Sequence, residues 1–317
     1  MQRRFVLTAS AALLGTQLLP GNAWAEATIV RFGWLKAPND MALAKAHGSL
    51  EKALGARGVK VEWAGPYPAS APAVEALNAG AIDITVGSSG SMAASLAAGA
   101  PVVAFNYQRM SDGAEGILVK KDAPYKSLAD LAGKKVAVNR GGTGEYLLVR
   151  GLERAGMKLD AIQRVYLGPA DGGSAFAQGH VDGWAAWDPF VSLALQQYDA
   201  RLLADGAAVG SDNAIIMLAS RSFVAKEPAL LKIVYDVLEA ENRWSLGRQD
   251  EAGRIWAQTL GLPESMAGTL GRNNAVPTVA IGAAEAVQLK RVADWYVKNG
   301  IVPSVPGMDA AMVDLSR

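Results

Sequence analysis

Two glycine- and hydroxyl-rich turns, Gly87-Ser88-Ser89-Gly90-Ser91 and Gly141-Gly142-Thr143-Gly144-Glu145, hold the residues of this chain best suited to chemistry. Each follows a short apolar run and precedes a helical pattern. Such a turn exposes backbone N–H groups at the positive end of a helix, which favours an anion. The second turn is not a nucleotide loop. A phosphate-binding loop needs Lys before Ser or Thr, but Glu145 follows Gly144, and Leu147 stands where a dinucleotide fingerprint needs its third glycine. Ordinary tight turns, capped by Ser91 and Thr143, are the alternative.

Other chemistry is sparse. The chain has two histidines and no cysteine. His47 falls within a helical pattern and His180 in a Gly-x-Val-Asp turn, with no clustered metal-ligand spacing and no nucleophile motif beside either. The expected activity is therefore binding without catalysis, cofactor or metal. Trp34, Trp184 and Trp187 lie near strand ends and could wall a ligand site or fill a core. Lys36 could add positive charge or be a solvated loop lysine. In Trp187-Asp188-Pro189-Phe190 a strand end meets a capping Asp and a helix-starting Pro.

The elements that must position these residues alternate. Apolar runs at 29–33, 59–63 and 82–86 read as strands, with helices at 41–54, 71–78 and 92–98 between or after them. The same order recurs about 100 residues later. Strands at 134–138, 164–167 and from 181 alternate with helices at 145–155 and 174–178. The phrases Asn78-Ala79-Gly80-Ala81-Ile82-Asp83 and Ala177-Gln178-Gly179-His180-Val181-Asp182 occupy equivalent places. This is a βαβ pattern, hence parallel strands with crossover helices, whose ligand sites lie at the strands' carboxyl ends. Helices at 228–246, 250–260, 263–270 and 283–298 follow and read as packing against the first lobe.

The N-terminus reads as an export signal. Arg3-Arg4 is followed by an apolar run to Leu19, a Pro20-Gly21 break and Ala23-Trp24-Ala25, a small-x-small cleavage pattern. The run is too short to span a bilayer, and the paired arginines admit the twin-arginine route as well as the general one. Loss of Arg3 and Arg4 takes the formal net charge from +1 to −1, which argues against nucleic acid as a partner. Without cysteine there is no disulfide and no lipidated anchor. A freely diffusing periplasmic protein of two lobes is the expectation.

The chain resembles the substrate-binding proteins of ABC importers for aliphatic sulfonates, related to those for taurine and nitrate. The resemblance is carried by residues 74–83, 128–137, 181–190, 202–206 and 218–223. It implies an α/β, two-lobed periplasmic binding protein fold of type II, each lobe a mixed, mainly parallel sheet flanked by helices. Residues 1–25 would be the signal peptide, 26–113 with 216–317 the first lobe, and 114–215 the second. The implied ligand is a small anionic organic molecule, a sulfonate or a similar oxyanion, held by closure of the lobes. Taurine, nitrate or an aromatic or carboxylate ligand are alternatives, and a thiamine-pyrimidine-precursor binder or enzyme on the same fold is a more remote one. The ligand set comprises Trp34, Lys36 and Asn39, then Ser88, Ser89, Gly90 and Ser91, and in the second lobe Gly142, Thr143, Gly144, Glu145, Trp187 and Asp188. An inner-membrane permease with its ATPase would be the partner of a monomer. Glu145 departs from the pattern: a carboxylate there repels a bare anion, so it either faces away or pairs with an amine or hydroxyl of the ligand.

Overall fold

The computed structural model describes residues 28–316, so the export signal read at 1–25 lies outside the described residues. The chain begins with β1 (Ile29–Leu35), α1 (Asp40–His47), α2 (Ser49–Gly55), β2 (Lys60–Tyr67), α3 (Ser70–Asn78), β3 (Ile84–Ser88) and α4 (Ser89–Ala97). Two short strands, β4 (Val102–Ala104) and β5 (Tyr107–Arg109), precede β6 (Glu115–Lys120), β7 (Lys135–Val138), α5 (Thr143–Arg154), β8 (Gln163–Tyr166), α6 (Pro169–Ala177), β9 (Gly183–Trp187), α7 (Phe190–Gln197) and β10 (Ala200–Asp205). The chain returns through α8 (Gly206–Val209) and β11 (Ala214–Ser220) to α9 (Arg221–Lys226), α10 (Pro228–Leu246), α11 (Gln249–Leu260), α12 (Ala267–Asn274), β12 (Thr278–Val279) and α13 (Ala283–Lys298).

These strands form two mixed sheets flanked by helices. The first runs β12-β5-β11-β3-β1-β2, with β4 also on β11, and the second runs β10-β6-β9-β7-β8. Inside each sits the same three-strand parallel unit, with β2 and β3 on either side of β1, and β8 and β9 on either side of β7. The repeated sequence phrases explain the match. Gly80 and Gly179 end their helices at φ 72° and 73°, a conformation that suits glycine. The aspartate that follows then ties the third strand to the first: Asp83 Oδ2 accepts from Arg31 N at 2.8 Å, and Asp182 Oδ2 from Lys135 N at 2.9 Å.

Several element boundaries differ from the sequence reading. The helix expected over 41–54 is broken at Gly48, whose φ of 66° closes α1 before α2 begins. The short helix expected at 174–178 starts at Pro169, where the ring needs no N–H partner. The helices after the two glycine-rich turns start earlier than expected, at Ser89 and Thr143.

The C-terminal helices do more than cover the first sheet. Leu231, Val234 and Leu238 of α10 do pack with β1 and β3 residues. However, Trp295 and Tyr296 of α13 pack between Ala93 of α4 and Tyr146 and Val149 of α5. The Tyr146 ring stacks on Tyr296 at 6.1 Å and meets Trp295 edge-on at 4.7 Å. This aromatic cluster joins helices that belong to different sheets. Each such buried side chain contributes roughly 1.5–3 kcal/mol.

Candidate ligand-binding site

A cleft of about 380 Å³ opens where the carboxyl ends of β1, β2, β3, β7, β8 and β9 meet. Five helix N-termini end on it, through Asn39, Ser70, Ser88, Gly142 and Gly168. Each helix end brings N–H groups with no intrahelical acceptor and the positive end of a peptide dipole array. A single turn of this kind binds anions weakly, but several aimed at one volume reinforce each other.

The two turns singled out by sequence both reach the cleft, and they are finished differently. In the first, Ser88 Oγ accepts from Ser91 N at 3.1 Å while Ser91 Oγ accepts from Ser88 N at 2.7 Å, a reciprocal capping box. Ser88 is therefore the cap of α4, not Ser91. Ser91 Oγ also donates to Ser88 O, so its hydroxyl is fully used, whereas Ser88 keeps its proton for another acceptor. In the second, Gly142 is the N-cap of α5 and supplies no side-chain cap, so Thr143 is the first helical residue and not the cap. Asn139 Oδ1 accepts from Gly144 N at 3.1 Å. The Thr143 N–H is left without an intrahelical acceptor, and the Thr143 hydroxyl lines the cleft.

Glu145 does not face the ligand volume. Its carboxylate is buried behind the turn, accepting from Gly141 N at 2.7 Å and from the Tyr166 hydroxyl at 2.5 Å, with the Arg164 guanidinium at 3.3 Å. Of the two orientations left open by the sequence, it adopts the one facing away. It stiffens the loop that presents Thr143, and Arg164 offsets its charge. Arg140, exposed and lining the cleft, sets its guanidinium carbon 3.8 Å from the Tyr166 ring centre and contributes positive potential to the cleft.

Of the residues expected to hold a ligand, Asn39, Ser88, Ser91, Gly142, Thr143, Trp187 and Asp188 line the cleft. Trp34 lies elsewhere: strand alternation turns its ring toward Lys45, whose ammonium sits 5.5 Å from the ring centre. Ser89 points into the protein, where its hydroxyl accepts from Ala214 N at 3.2 Å. Gly90 packs under Tyr296 and Gly144 against the Ala185 carbonyl, both too close for a Cβ. Lys36 lines a neighbouring cavity. Asn39 spends its side chain on Ala42 N and Ala37 O, fixing the first loop.

Asp188 is buried and fully engaged, accepting from Ser192 N and Oγ and from the side-chain amides of Asn273 and Asn274. Burial pushes its carboxyl above the usual carboxylate range, and these donors hold it back. Asn139, Arg140, Tyr166 and Asn274 also reach the cleft and were not read from the sequence. Asn139 opens the glycine-rich turn, but its bond runs five residues on to Gly144 N, beyond the reach of the local Asx turn that sequence can announce. Arg140 and Tyr166 meet only through the parallel pairing of β7 and β8, so nothing local announces them.

Neither histidine approaches the cleft. His47 Nδ1 is 2.7 Å from Glu241 and its ring meets Trp244 edge-on, while His180 is exposed at its turn. Among the described residues no cluster of His, Cys, Asp or Glu suits a metal, and no helix is long and apolar enough to cross a membrane.

Comparison with known proteins agrees with this architecture. Residues 52–252 match the family described as NMT1/THI5 like. A protein of Escherichia coli strain K12 named for binding aliphatic sulfonates is 34 % identical over 304 residues, spanning 95 % of this chain and 93 % of the relative. The crystal structure of the periplasmic aliphatic sulphonate binding protein SsuA from Escherichia coli superposes with a TM-score of 0.79 at 33 % identity, over 90 % of this chain and 92 % of that one. The alkanesulfonate-binding protein SsuA from Xanthomonas axonopodis pv. citri, bound to MOPS, superposes with a TM-score of 0.84 at 29 % identity, over 91 % and 99 %. The two helix-flanked mixed sheets thus have the fold of these periplasmic binding proteins, and the chain belongs to the NMT1/THI5-like family, alongside the aliphatic sulfonate-binding proteins.

Proposed function

We propose that this protein is the substrate-binding component of an ABC importer and captures an aliphatic sulfonate or a similar small organic oxyanion. The observation that carries the reading is the open N-terminus of α5. It faces a cleft ringed by four further helix ends, with Arg140 at the mouth and the one lining carboxylate, Asp188, already engaged by four donors. The anionic head sits against Thr143 and Gly142 from one side and Ser88 from the other, and Trp187 packs its organic part. Each hydrogen bond to the charged group is worth roughly 1.5–3 kcal/mol. The two sheets act as two lobes, 26–113 with 216–317 and 114–215, closing on the ligand by a hinge where the chain passes between them, near residues 113–118 and 213–218.

The N-terminal 25 residues act as an export signal, and the protein works as a monomer in the periplasm, delivering its ligand to an inner-membrane permease with its ATPase. Calorimetric titration with alkanesulfonates, taurine, nitrate, sulfate and bicarbonate tests the reading. Alkanesulfonates are expected to bind most tightly. Saturable binding of neutral compounds alone would overturn it.

A further inference from the structure

A second cavity, about 310 Å³, lies beside the cleft, meets it at Pro169, and is lined mainly by apolar and aromatic side chains, among them Trp184, Phe190, Leu193 and Leu262. The two volumes are built from the same three strand-end loops, residue by residue. Leu35 and Ala37 line the cleft and Lys36 the second cavity; Trp187 and Asp188 line the cleft and Pro189 the second cavity; Pro169 lines both. An aromatic path runs the same way. The Trp187 ring, at the cleft, meets Phe190 edge-on at 5.8 Å, and Phe190 lies 5.9 Å from Trp184.

We propose, building on the sulfonate reading, that this second cavity is a tail chamber. It accepts the distal part of a sulfonate too long for the cleft alone, a long-chain alkyl or an aryl compound. The anionic head stays at Thr143 while the tail leaves between Trp187 and Pro169 and lies along Phe190 toward Leu193. The chamber has walls from both halves of the molecule. Phe190 and Leu193 belong to α7 on the second sheet, while Leu260 and Leu262 come from the end of α11. Leu193 already packs with Leu262 around Ala257, Met266 and Leu270, so a tail placed here extends an existing apolar contact between the halves. Polar solutes gain nothing from such a wall. A hydrocarbon tail gains about fourfold in affinity per methylene removed from water, as an upper bound.

Calorimetric titration with methane-, butane- and octanesulfonate tests this on the natural protein and on two variants. Ala170→Trp blocks the chamber from an exposed position at the start of α6, and Leu262→Asn makes its wall polar. The expected result is octanesulfonate binding about tenfold or more tighter than butanesulfonate. Both variants should erase most of that gain while leaving butanesulfonate affinity within about twofold, which also certifies that they fold. Equal affinity for the two lengths in the natural protein, or an undiminished gain in both variants, overturns the tail chamber and leaves the sulfonate reading standing. Failure of all three sulfonates to bind overturns the sulfonate reading and the tail chamber with it.

Discussion

The N-termini of α4 and α5 end on one cleft, yet α4 carries a capping box of its own serines whereas the N-cap of α5 is a glycine with no side chain to give. At α4 the box satisfies Ser91 N and ties back Ser88 N, leaving the Ser88 hydroxyl and the Ser89 and Gly90 N–H groups for a ligand. At α5 the support comes from two sides. Glu145 holds Gly141 N from behind the turn and Asn139, at the cleft, accepts from Gly144 N, which leaves the leading Thr143 N–H and the Thr143 hydroxyl uncommitted. A self-capped helix end is stable with or without a ligand, whereas an end braced from behind keeps its charge for a guest. The two ends are also tied together. Ala214 N donates to Ser89 Oγ at 3.2 Å, and Asn213 Nδ2 donates to the Thr143 carbonyl at 3.1 Å and to Glu115 Oε2 at 2.6 Å.

The comparison can be broken most directly at the brace. Glu145→Ala leaves the Tyr166 hydroxyl and Arg164 without their acceptor and should cost about 2–3 kcal/mol in urea denaturation. Ser91→Ala at the other end should cost only about 1 kcal/mol, and equal losses would deny any difference between the ends. Next comes Thr143→Val, which keeps the shape and removes the hydroxyl. It should weaken sulfonate binding by about 2 kcal/mol, roughly 30-fold in Kd, with an unchanged melting temperature. A preserved Kd would remove α5 from the site. Ser88→Ala should cost about 1 kcal/mol of stability, as other lost caps do, and weaken binding less than Thr143→Val.

The smallest effect on binding is expected at Glu115, beneath the tie between the ends. Burial pushes its carboxyl up to about 7, against hydrogen bonds from Ser211 and Asn213 that favour the charged form. The folded state therefore holds this proton more tightly than the unfolded chain does. That contribution to stability is complete below about pH 4.5, the ordinary glutamate value, and is lost as pH rises through about 7. Asp40, raised by burial to about 6, acts in the same direction. Glu115→Gln keeps an acceptor for Asn213 and should flatten the decline in denaturation midpoint between pH 5 and pH 8 while barely moving Kd. An unaltered slope would assign the decline to other groups.

Much of this architecture was legible in the sequence, because parallel βαβ units write their strands as short apolar runs and their turns as glycines. The Gly-x-Ile-Asp and Gly-x-Val-Asp phrases announced the repeat, since each aspartate closes the same bond between strands. The site was legible where a turn presents its own residues, as at Ser88 and Thr143. It was obscure where orientation decides. Whether Trp34 or Leu35 faces the cleft depends on which side of β1 meets α1, and Glu145 looks identical in sequence whether it faces in or out. The chain crossings hid Asn274, some 86 residues from the Asp188 it binds.

That last pairing has a consequence in time. Asp188 follows β9 of the second sheet, while Asn273 and Asn274 close α12, which leads into β12 of the first sheet. On the proposed two-lobe closure, two hydrogen bonds to a buried carboxylate resist separation whether or not a guest is present. Weakening them, as in Asn274→Ala, should shorten the dwell of a captured molecule, read as a faster dissociation rate.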